Sequence, residues 1–323
     1  MSASVSPLVF SLENPFGGKV HPQAERLRAY GRDWVQRVGL VQTEADLSRF
    51  EAARYWQLVA ATYPHAPWDI LTIIHDWSCW GFFLDDYDDT GAATAQPAAL
   101  RRFFDHLLAV LQDTPLPCDL PPLLRVLADI WERMARHSAR AWQQRFASAL
   151  ADSFSAYEWE ARNRADQRVP SVGEYLPYRR KTSGWRTLAL LVDLSMGHTL
   201  PERIYTSDEF QAPLDAANNV ICWANDIFSF EKECASGDVH NLVHIVQTEQ
   251  RCTTEAAIQT IVGWHNQEIQ RWQQLVDHLP RQWGWWPPDA RLVQAYMQFS
   301  QHSMYANHVW SQASGRYQMP IPG

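Results

Sequence analysis

Two short polar stretches, about 140 residues apart, constrain how this chain can fold. The first contains Asp85 and Asp89, which are four residues apart, and the second contains Asn225, Ser229 and Glu233, which also step by four. Residues four apart lie on the same face of an α-helix, one turn above another. Each stretch follows an apolar, aromatic run that is typical of a buried helix. The pattern therefore predicts two buried helices, each with a polar face near its end.

The side chains of both stretches are all oxygen donors, and none of them is an imidazole or a thiolate. Oxygen ligands suit a hard cation such as Mg²⁺, which uses one or two carboxylates and takes further ligands from substrate phosphates. The spacing thus predicts two facing helices that clamp Mg²⁺ and a diphosphate.

The apolar periodicity is helical along nearly the whole chain, and alternating, strand-like runs are scarce. We find no shift in composition and no low-complexity linker, so we expect an all-α chain that forms one domain over residues 1–323. Ser171 and Glu174 match a capping box, which predicts a helix start that places Arg179 on the second turn. The predicted helices lie near 23–38, 44–62, 67–87, 97–112, 121–136, 139–165, 172–181, 184–197, 208–234, 239–248, 254–279 and 288–312.

The composition excludes several classes of protein. The net charge of −8 argues against a nucleic-acid partner. No apolar stretch reaches the length of roughly 18 residues that a transmembrane helix needs. The five cysteines are scattered without a CxxC spacing, and residues 1–14 lack the pattern of a signal peptide. We therefore expect a cytoplasmic protein without an integral membrane segment.

The chain resembles the class I terpene synthases, most closely their single-domain bacterial members. Residues 85–89 are similar to the aspartate-rich DDxxD motif, and Asn225, Ser229 and Glu233 are similar to the motif known as NSE. Arg179 lies 46 residues before Asn225, where this family carries an arginine that senses diphosphate. Arg316 and Tyr317 follow six and seven residues after Trp310, as in the family's C-terminal motif. These motifs occur in the family's order and spacing across essentially the whole chain.

The resemblance implies an all-α helical bundle, or barrel, around a deep apolar cavity with the two motifs facing each other across its mouth. It also implies an enzyme that ionises and cyclises a linear prenyl diphosphate and releases diphosphate. A chain of this size is expected to use farnesyl diphosphate, with geranyl and geranylgeranyl diphosphate as the alternatives. The resemblance is also compatible with a homodimer.

The resemblance also assigns roles at the mouth of the cavity. Asp85 would bind two of three Mg²⁺ ions, and the NSE residues Asn225, Ser229 and Glu233 would hold the third. Asp86 would pair with the sensor Arg179 when the site closes. Asp88 and Asp89 compete for the second ligand position of the acidic motif, because residues 85–89 fit two spacings; helix geometry favours Asp89, and unwinding at Tyr87 would favour Asp88. The residues expected to donate hydrogen bonds to the diphosphate are Arg179, Lys232, Arg316 and Tyr317.

Below the metals, aromatic faces are expected to stabilise a carbocation. Phe82, three residues before Asp85, and Trp310 are the best candidates. For four other aromatic residues we favour core packing: Trp80, Phe83, Trp185 and Trp223. Ser183 lies where the family places an effector residue that acts through its backbone carbonyl, and the adjacent Gly184 could serve equally well.

Two other readings stay open at this point. A chain-elongating prenyltransferase normally carries two aspartate-rich motifs, whereas the second motif here is built from Asn225, Ser229 and Glu233. A non-catalytic, isoprenoid-binding helical protein would not need the metal and diphosphate residues to be intact.

Overall fold

The computed structural model describes residues 11–89, 97–112, 121–279 and 287–317. Every regular element in these ranges is a helix, which confirms the all-α prediction, and no helix among them is long and apolar enough to span a membrane. The helices are α1 Ala24–Arg37, α2 Glu44–Ala53, α3 Tyr55–Thr62, α4 Trp68–Asp89, α5 Pro97–Val110, α6 Pro122–Arg136, α7 Arg140–Ala165, α8 Val172–Thr182, α9 Trp185–Met196, α10 Glu202–Tyr205, α11 Asp208–Ser236, α12 Leu242–Gln250, α13 Thr254–Asp277 and α14 Pro287–Ala313, followed by a 3₁₀ turn Gly315–Tyr317.

The structure corrects the predicted helices at two places. The helix predicted over 44–62 is two helices, α2 and α3, because Arg54 adopts a left-handed conformation with φ of 53° that ends α2. The four-residue helix α10 was not predicted, since so short an element shows no helical period. The other predicted helices are confirmed within a few residues of their observed ends.

The predicted capping box of α8 is confirmed and determines where Arg179 lies. Ser171 Oγ accepts a hydrogen bond from the backbone N–H of Glu174 at 3.3 Å, and the Glu174 carboxylate accepts from the Ser171 N–H at 2.9 Å. These bonds satisfy N–H groups that a helix start otherwise leaves unpaired. Helix α8 therefore begins at Val172 and carries Arg179 on its second turn, next to α11.

Two apolar clusters form the core, and helices α11 and α13 contribute to both. The larger cluster takes Leu214 and Val220 of α11, and the smaller one takes Trp223 and Ile227 of the same helix. The smaller cluster also contains residues of α8 and α12. The 29-residue helix α11 thus contributes to both clusters, and its polar stretch begins after residue 224. That the chain is one domain stays a prediction.

Helix α4 is held against α1 and α6 by a buried polar cluster. The Asp76 carboxylate accepts hydrogen bonds from Tyr30 of α1 and Arg133 of α6, both at 2.7 Å. His75 Nδ1 lies 3.0 Å from the same carboxylate. Helix α1 crosses the His75 ring at Gly31, where a Cβ atom would lie 2.5 Å from His75 Nε2. The cluster fixes the first half of α4, and thereby the direction in which its end presents Asp85.

We expect Gly31→Ala to lower the free energy of unfolding by about 1–3 kcal/mol, because the added methyl group overlaps the packed His75 ring. Gly263→Ala is the matched control: it also lies inside a helix, but a Cβ atom there meets nothing within 4 Å. The control should gain about 0.5–1 kcal/mol from the lower entropy of its unfolded chain. Guanidinium chloride denaturation followed by circular dichroism measures both, and equal stability of the Gly31 variant and the parent would contradict the close crossing.

Candidate functional site

One cavity of about 240 Å³ receives the polar faces of both α4 and α11. Asp85 reaches it from α4, and Asn225, Ser229 and Glu233 reach it from α11. The structure therefore brings together the two stretches that are far apart in the sequence. The other predicted site residues that line the same cavity are Phe82, Arg179, Ser183, Lys232, Trp310, Arg316 and Tyr317.

The predicted second ligand of the acidic motif lies outside the part of the chain whose side chains are described. The backbone of α4 continues through Asp89 without unwinding at Tyr87. This geometry keeps Asp85 and Asp89 on one helix face. The choice of Asp89 over Asp88 stays a prediction.

Two hydrogen bonds hold Arg179 beside α11, one to a carboxylate and one to a side-chain amide. Its Nε donates to Asp226 Oδ1 at 2.9 Å, and its Nη2 donates to Asn225 Oδ1 at 2.7 Å. Burial is the largest single effect and opposes the charge of Arg179, but the Asp226 carboxylate, together with Tyr175, Cys222 and Glu233, raises its pKa well above the ordinary value. The guanidinium is therefore a permanent positive charge at the cavity wall.

Asp226 is the buried centre of this wall, with only 1% of its surface exposed. Besides Arg179, its carboxylate accepts hydrogen bonds from the Tyr175 hydroxyl at 2.9 Å and from the Leu242 N–H at 3.1 Å. Asn241 Nδ2 donates to the Asp226 backbone carbonyl at 2.7 Å and to Glu233 Oε2, also at 2.7 Å. Asp226 thus ties α8 and the start of α12 to α11.

Arg316 lines the cavity at the acidic end of α4. Its Nη2 lies 2.7 Å from Asp85 Oδ2, and its Nη1 lies 3.0 Å from Asp86 Oδ1. Nη1 also donates to the Tyr55 hydroxyl at 3.1 Å. Its side chain is 9% exposed, so the two carboxylates sit against a largely desolvated cation. The 3₁₀ turn after α14 is in this way bonded to the end of α4.

The pair expected between Asp86 and Arg179 is not formed among the described residues. Asp86 contacts Arg316 instead, and Lys232 Nζ lies 3.9 Å from Asp86 Oδ1. Arg179 already forms a salt bridge with Asp226, the fully buried residue that follows Asn225. Asp86 does not line the cavity, whereas Asp85 does.

The donor atoms in the cavity fit a hard divalent cation. Asn225 Oδ1 accepts from Arg179, and an amide oxygen keeps a second lone pair for another partner. Asn225 Nδ2 donates to the Tyr317 hydroxyl at 2.7 Å, which turns its oxygen toward Arg179. Ser229 Oγ donates to the Asn225 carbonyl at 2.8 Å and retains its own lone pairs.

Burial in the cavity wall disfavours the charged form of the Glu233 carboxylate. Loss of water around the group is the largest effect, the negative charge of Asp226 adds to it, and together they raise the Glu233 pKa to about 8. Among the described residues no group of three or more His, Cys, Asp or Glu side chains could hold a metal ion by itself. A cation here would have to be held by carboxylate, amide and hydroxyl oxygens together with oxygens of a bound anion.

The apolar part of the wall is aromatic. The Phe82 ring stacks on Tyr55 at 4.3 Å and lies 5.5 Å from Trp310, measured between ring centroids. The Arg316 guanidinium carbon lies 4.9 Å from the Phe82 centroid. Trp310 Nε1 donates to the Ala53 carbonyl at 2.7 Å, which fixes the plane of its indole. Phe82 therefore supports Arg316 as well as lining the cavity.

Trp80 and Trp185 also line the cavity, although both are buried and bonded to neighbouring helices. Trp80 Nε1 donates to the Leu123 carbonyl at 2.9 Å, and Trp185 Nε1 donates to Ser303 Oγ at 3.0 Å. Trp223 and Phe83 pack in or against the core clusters and are absent from the cavity wall. Phe83 and Trp223 thus serve core packing, as expected. Trp80 and Trp185 contribute both to the core and to the cavity wall.

The break between α8 and α9 separates the two effector candidates. Gly184 is left-handed, with φ of 66°, and its carbonyl accepts from Thr187 Oγ1 at 2.7 Å and from the Thr187 N–H at 3.2 Å. The Ser183 carbonyl accepts no hydrogen bond within the described part of the chain. Both residues line the cavity. Because the effector acts through its backbone carbonyl, the unbonded carbonyl of Ser183 makes it the better candidate.

Sequence reasoning missed Asp226, Tyr55, Tyr175 and Asn241. A signal for Asp226 was present, because it directly follows Asn225 after an apolar run typical of a buried helix, and a buried carboxylate requires a cationic or hydrogen-bonding partner. Tyr55 and Tyr175 carried no such signal, since a tyrosine in an apolar run is ordinary core.

The comparisons with known proteins agree on one family. The family model described as terpene synthase family 2, C-terminal metal binding, matches residues 76–271. Pristinol synthase from Streptomyces pristinaespiralis is 31% identical over 94% of this chain and 83% of its own length. A (+)-T-muurolol synthase from Roseiflexus castenholzii, named as cyclising (2E,6E)-farnesyl diphosphate, is 30% identical over 79% of this chain and 78% of its own. The crystal structure of germacradien-4-ol synthase from Streptomyces citricolor superposes with a TM-score of 0.82 at 22% identity, covering 94% of this chain and 98% of that one.

We expect Asp226→Ala to lower the free energy of unfolding by about 3–5 kcal/mol, because it leaves the guanidinium of Arg179 without its buried partner. Tyr175→Phe removes one hydrogen bond from the same carboxylate and is the matched control, with an expected loss of about 1 kcal/mol. Urea denaturation of both variants measures the difference. If the two variants lost the same amount, Asp226 would not be the centre of this wall.

Proposed function

This chain belongs to the terpene synthase family, and we propose that it ionises and cyclises farnesyl diphosphate with the help of Mg²⁺. The observation that carries this proposal is the single cavity in which oxygen donors of α4 and α11 meet the cations Arg179, Lys232 and Arg316. Its fold is the all-α class I isoprenoid synthase fold that the sequence implied. The chain is therefore an enzyme, a terpene cyclase that acts on a prenyl diphosphate.

The arrangement is suited to removing a highly charged leaving group. A departing diphosphate carries nearly three negative charges, so its departure needs preorganised positive charge in a dry site. Arg179 and Arg316 both line the cavity and present planar guanidinium forks, which bind phosphate oxygens in pairs. Lys232 and the Tyr317 hydroxyl add two further donors to the same rim.

We propose that the metal is Mg²⁺ and that three ions bind with the diphosphate. Asp85, with Asp89, would hold two of them, and Asn225, Ser229 and Glu233 would hold the third. When bound, these ions would neutralise the charge that develops on the leaving diphosphate. In this structure Arg316 forms ion pairs with Asp85 and Asp86. To bind the diphosphate, its guanidinium would have to leave these carboxylates and bond phosphate oxygens instead.

The substrate's hydrocarbon chain would lie against the aromatic wall. Phe82 and Trp310 would offer their faces to the carbocation, and the free carbonyl of Ser183 would direct negative charge at it. We choose farnesyl diphosphate because the Roseiflexus relative is named for cyclising it. Geranyl and geranylgeranyl diphosphate are the alternative substrates.

We further propose a cytoplasmic enzyme without a nucleic-acid partner. The four cysteines in the described ranges are free, as is usual in a reducing compartment, and the net charge is −8. A homodimer and a single domain over residues 1–323 are proposals that rest on the family.

Incubation of the purified protein with geranyl, farnesyl and geranylgeranyl diphosphate, with and without Mg²⁺, tests the proposed function. We expect a terpene product from farnesyl diphosphate only when Mg²⁺ is present, because the diphosphate cannot leave without its neutralising charge. Gas chromatography–mass spectrometry of organic extracts detects it. Unchanged substrate in every reaction, from folded protein, would support a non-catalytic isoprenoid-binding protein instead.

We expect Asn225→Ala and Glu233→Ala to lower turnover of farnesyl diphosphate by at least roughly a hundredfold, because each removes an oxygen ligand of one metal site. Glu231→Ala is the matched control, since this exposed glutamate lies on the same helix and does not line the cavity. Diphosphate release at several Mg²⁺ concentrations measures the effect, and circular dichroism checks the fold. Full turnover in the Glu233 variant would remove Glu233 from the metal site.

A further inference from the structure

Tyr55, the first residue of α3, contacts two parts of the candidate site without lining the cavity itself. Its hydroxyl accepts a hydrogen bond from Arg316 Nη1 at 3.1 Å, and its ring stacks on Phe82 with the centroids 4.3 Å apart and the planes 14° apart. Arg316 and Phe82 line the cavity, whereas Tyr55 does not. Tyr55 is 5% exposed, so any influence that it has on a bound substrate passes through these two side chains.

The Arg316 guanidinium is supported by Tyr55 in two ways. The first is the direct hydrogen bond to the hydroxyl. The second is the Phe82 ring, because the guanidinium carbon lies 4.9 Å from its centroid and the ring is held in place by its stack on Tyr55. An aromatic face attracts a cation more strongly when the cation is desolvated, and the Arg316 side chain is only 9% exposed.

The break between α2 and α3 is packed against the segment that carries Arg316. The Ala53 carbonyl accepts a hydrogen bond from Ser314 Oγ at 3.0 Å. A Cβ atom added at Gly315 would lie 3.0 Å from Ala52 Cβ and 3.1 Å from the Ala52 carbonyl oxygen, so the two stretches of backbone are in close contact. Backbone packing therefore sets the separation at which the hydroxyl and the guanidinium meet.

The Tyr55 hydroxyl differs from the other partners of Arg316 in having no charge. Asp85 and Asp86 are carboxylates, and the proposed function requires Arg316 to leave them when the diphosphate binds. Burial raises the pKa of the Tyr55 hydroxyl well above its ordinary value, so the group stays neutral and does not repel a phosphate. A guanidinium has five N–H donors, so one bond to Tyr55 leaves others for phosphate oxygens.

We propose that Tyr55 is a positioning residue for the diphosphate, whose hydroxyl and ring keep the Arg316 guanidinium at the cavity wall after Arg316 has left Asp85 and Asp86. This inference rests on the proposed function. Fixing a long arginine side chain costs conformational entropy. An arginine that is already held by Tyr55 loses less of this entropy when the diphosphate binds, so the complex is more stable.

The test is calorimetric titration of the full-length protein with inorganic diphosphate in the presence of Mg²⁺. Tyr55→Phe keeps the ring and its stack but removes the hydroxyl, and it should raise the Kd by roughly tenfold. Arg316→Ala removes the guanidinium itself and should raise the Kd further. Tyr296→Phe is the matched control and should leave the Kd unchanged, because this buried tyrosine donates to Asp193 at 2.8 Å and does not line the cavity.

Two readouts separate positioning from a merely structural role. Loss of folded protein lowers the number of binding sites per chain, whereas a misplaced Arg316 raises the Kd and leaves that number unchanged. In turnover, Tyr55→Phe should raise the KM for farnesyl diphosphate by the same roughly tenfold factor, with a much smaller change in kcat, because the variant weakens binding in the ground state and the transition state alike.

The outcomes distinguish this inference from the proposed function. An unchanged Kd in Tyr55→Phe, from a parent that binds diphosphate, would overturn the role of Tyr55 and leave the proposed function intact. Equal losses in Tyr55→Phe and Tyr296→Phe would also overturn it, since they would reflect the removal of any buried tyrosine hydroxyl. A folded parent that binds no diphosphate in the presence of Mg²⁺ would contradict the proposed function and, with it, this inference.

Discussion

The buried charge of Asp226 is the interaction on which the rest of the site depends. A carboxylate taken out of water is stable only when cations and hydrogen-bond donors surround it. Here the donors come from three places, the side chains of Arg179 and Tyr175 on α8 and the N–H of Leu242 at the start of α12. Satisfying one carboxylate therefore brings three helices together and leaves Arg179 beside Asn225 at the cavity mouth.

The position of Arg316 depends on a break in the backbone between α2 and α3. Because Arg54 ends α2, the Ala53 carbonyl is left without a partner in its own helix. Trp310 Nε1 and Ser314 Oγ donate to it at 2.7 Å and 3.0 Å, which fixes the end of α14. Arg316 follows directly and reaches Asp85 at 2.7 Å. Both arginines thus line one cavity, and Asn225 links them, because its carboxamide bonds Arg179 and the Tyr317 hydroxyl next to Arg316.

Much of the helical fold, and the helix faces that form the site, could be predicted from local sequence. Helical period and the capping box at Ser171 depend on residues only a few positions apart, and both were confirmed. The four-residue steps within each polar stretch likewise predicted which side chains share a helix face. The break at Arg54 was missed, because the hydrogen bonds to the Ala53 carbonyl at that break come from the distant residues Trp310 and Ser314. The pairing of Asp86 with Arg179 was expected for the closed site and stays a prediction; here Asp86 contacts Arg316, and Asp226 is the buried partner of Arg179.

The sequence by itself determined the class of chemistry. Its oxygen donors lie at helical spacing, and its motifs, including Arg179, Lys232 and Arg316, follow the order of the terpene synthase motifs, which bind a metal ion and a diphosphate. Only the tertiary structure decided which residues share a wall and which polar groups have partners. Tyr55 and Tyr175 are ordinary residues in helical runs when read in sequence. Their hydrogen bonds to Arg316 and Asp226 appear only in the folded chain, because hydrogen bonding and burial depend on neighbours that are close in space and distant along the chain.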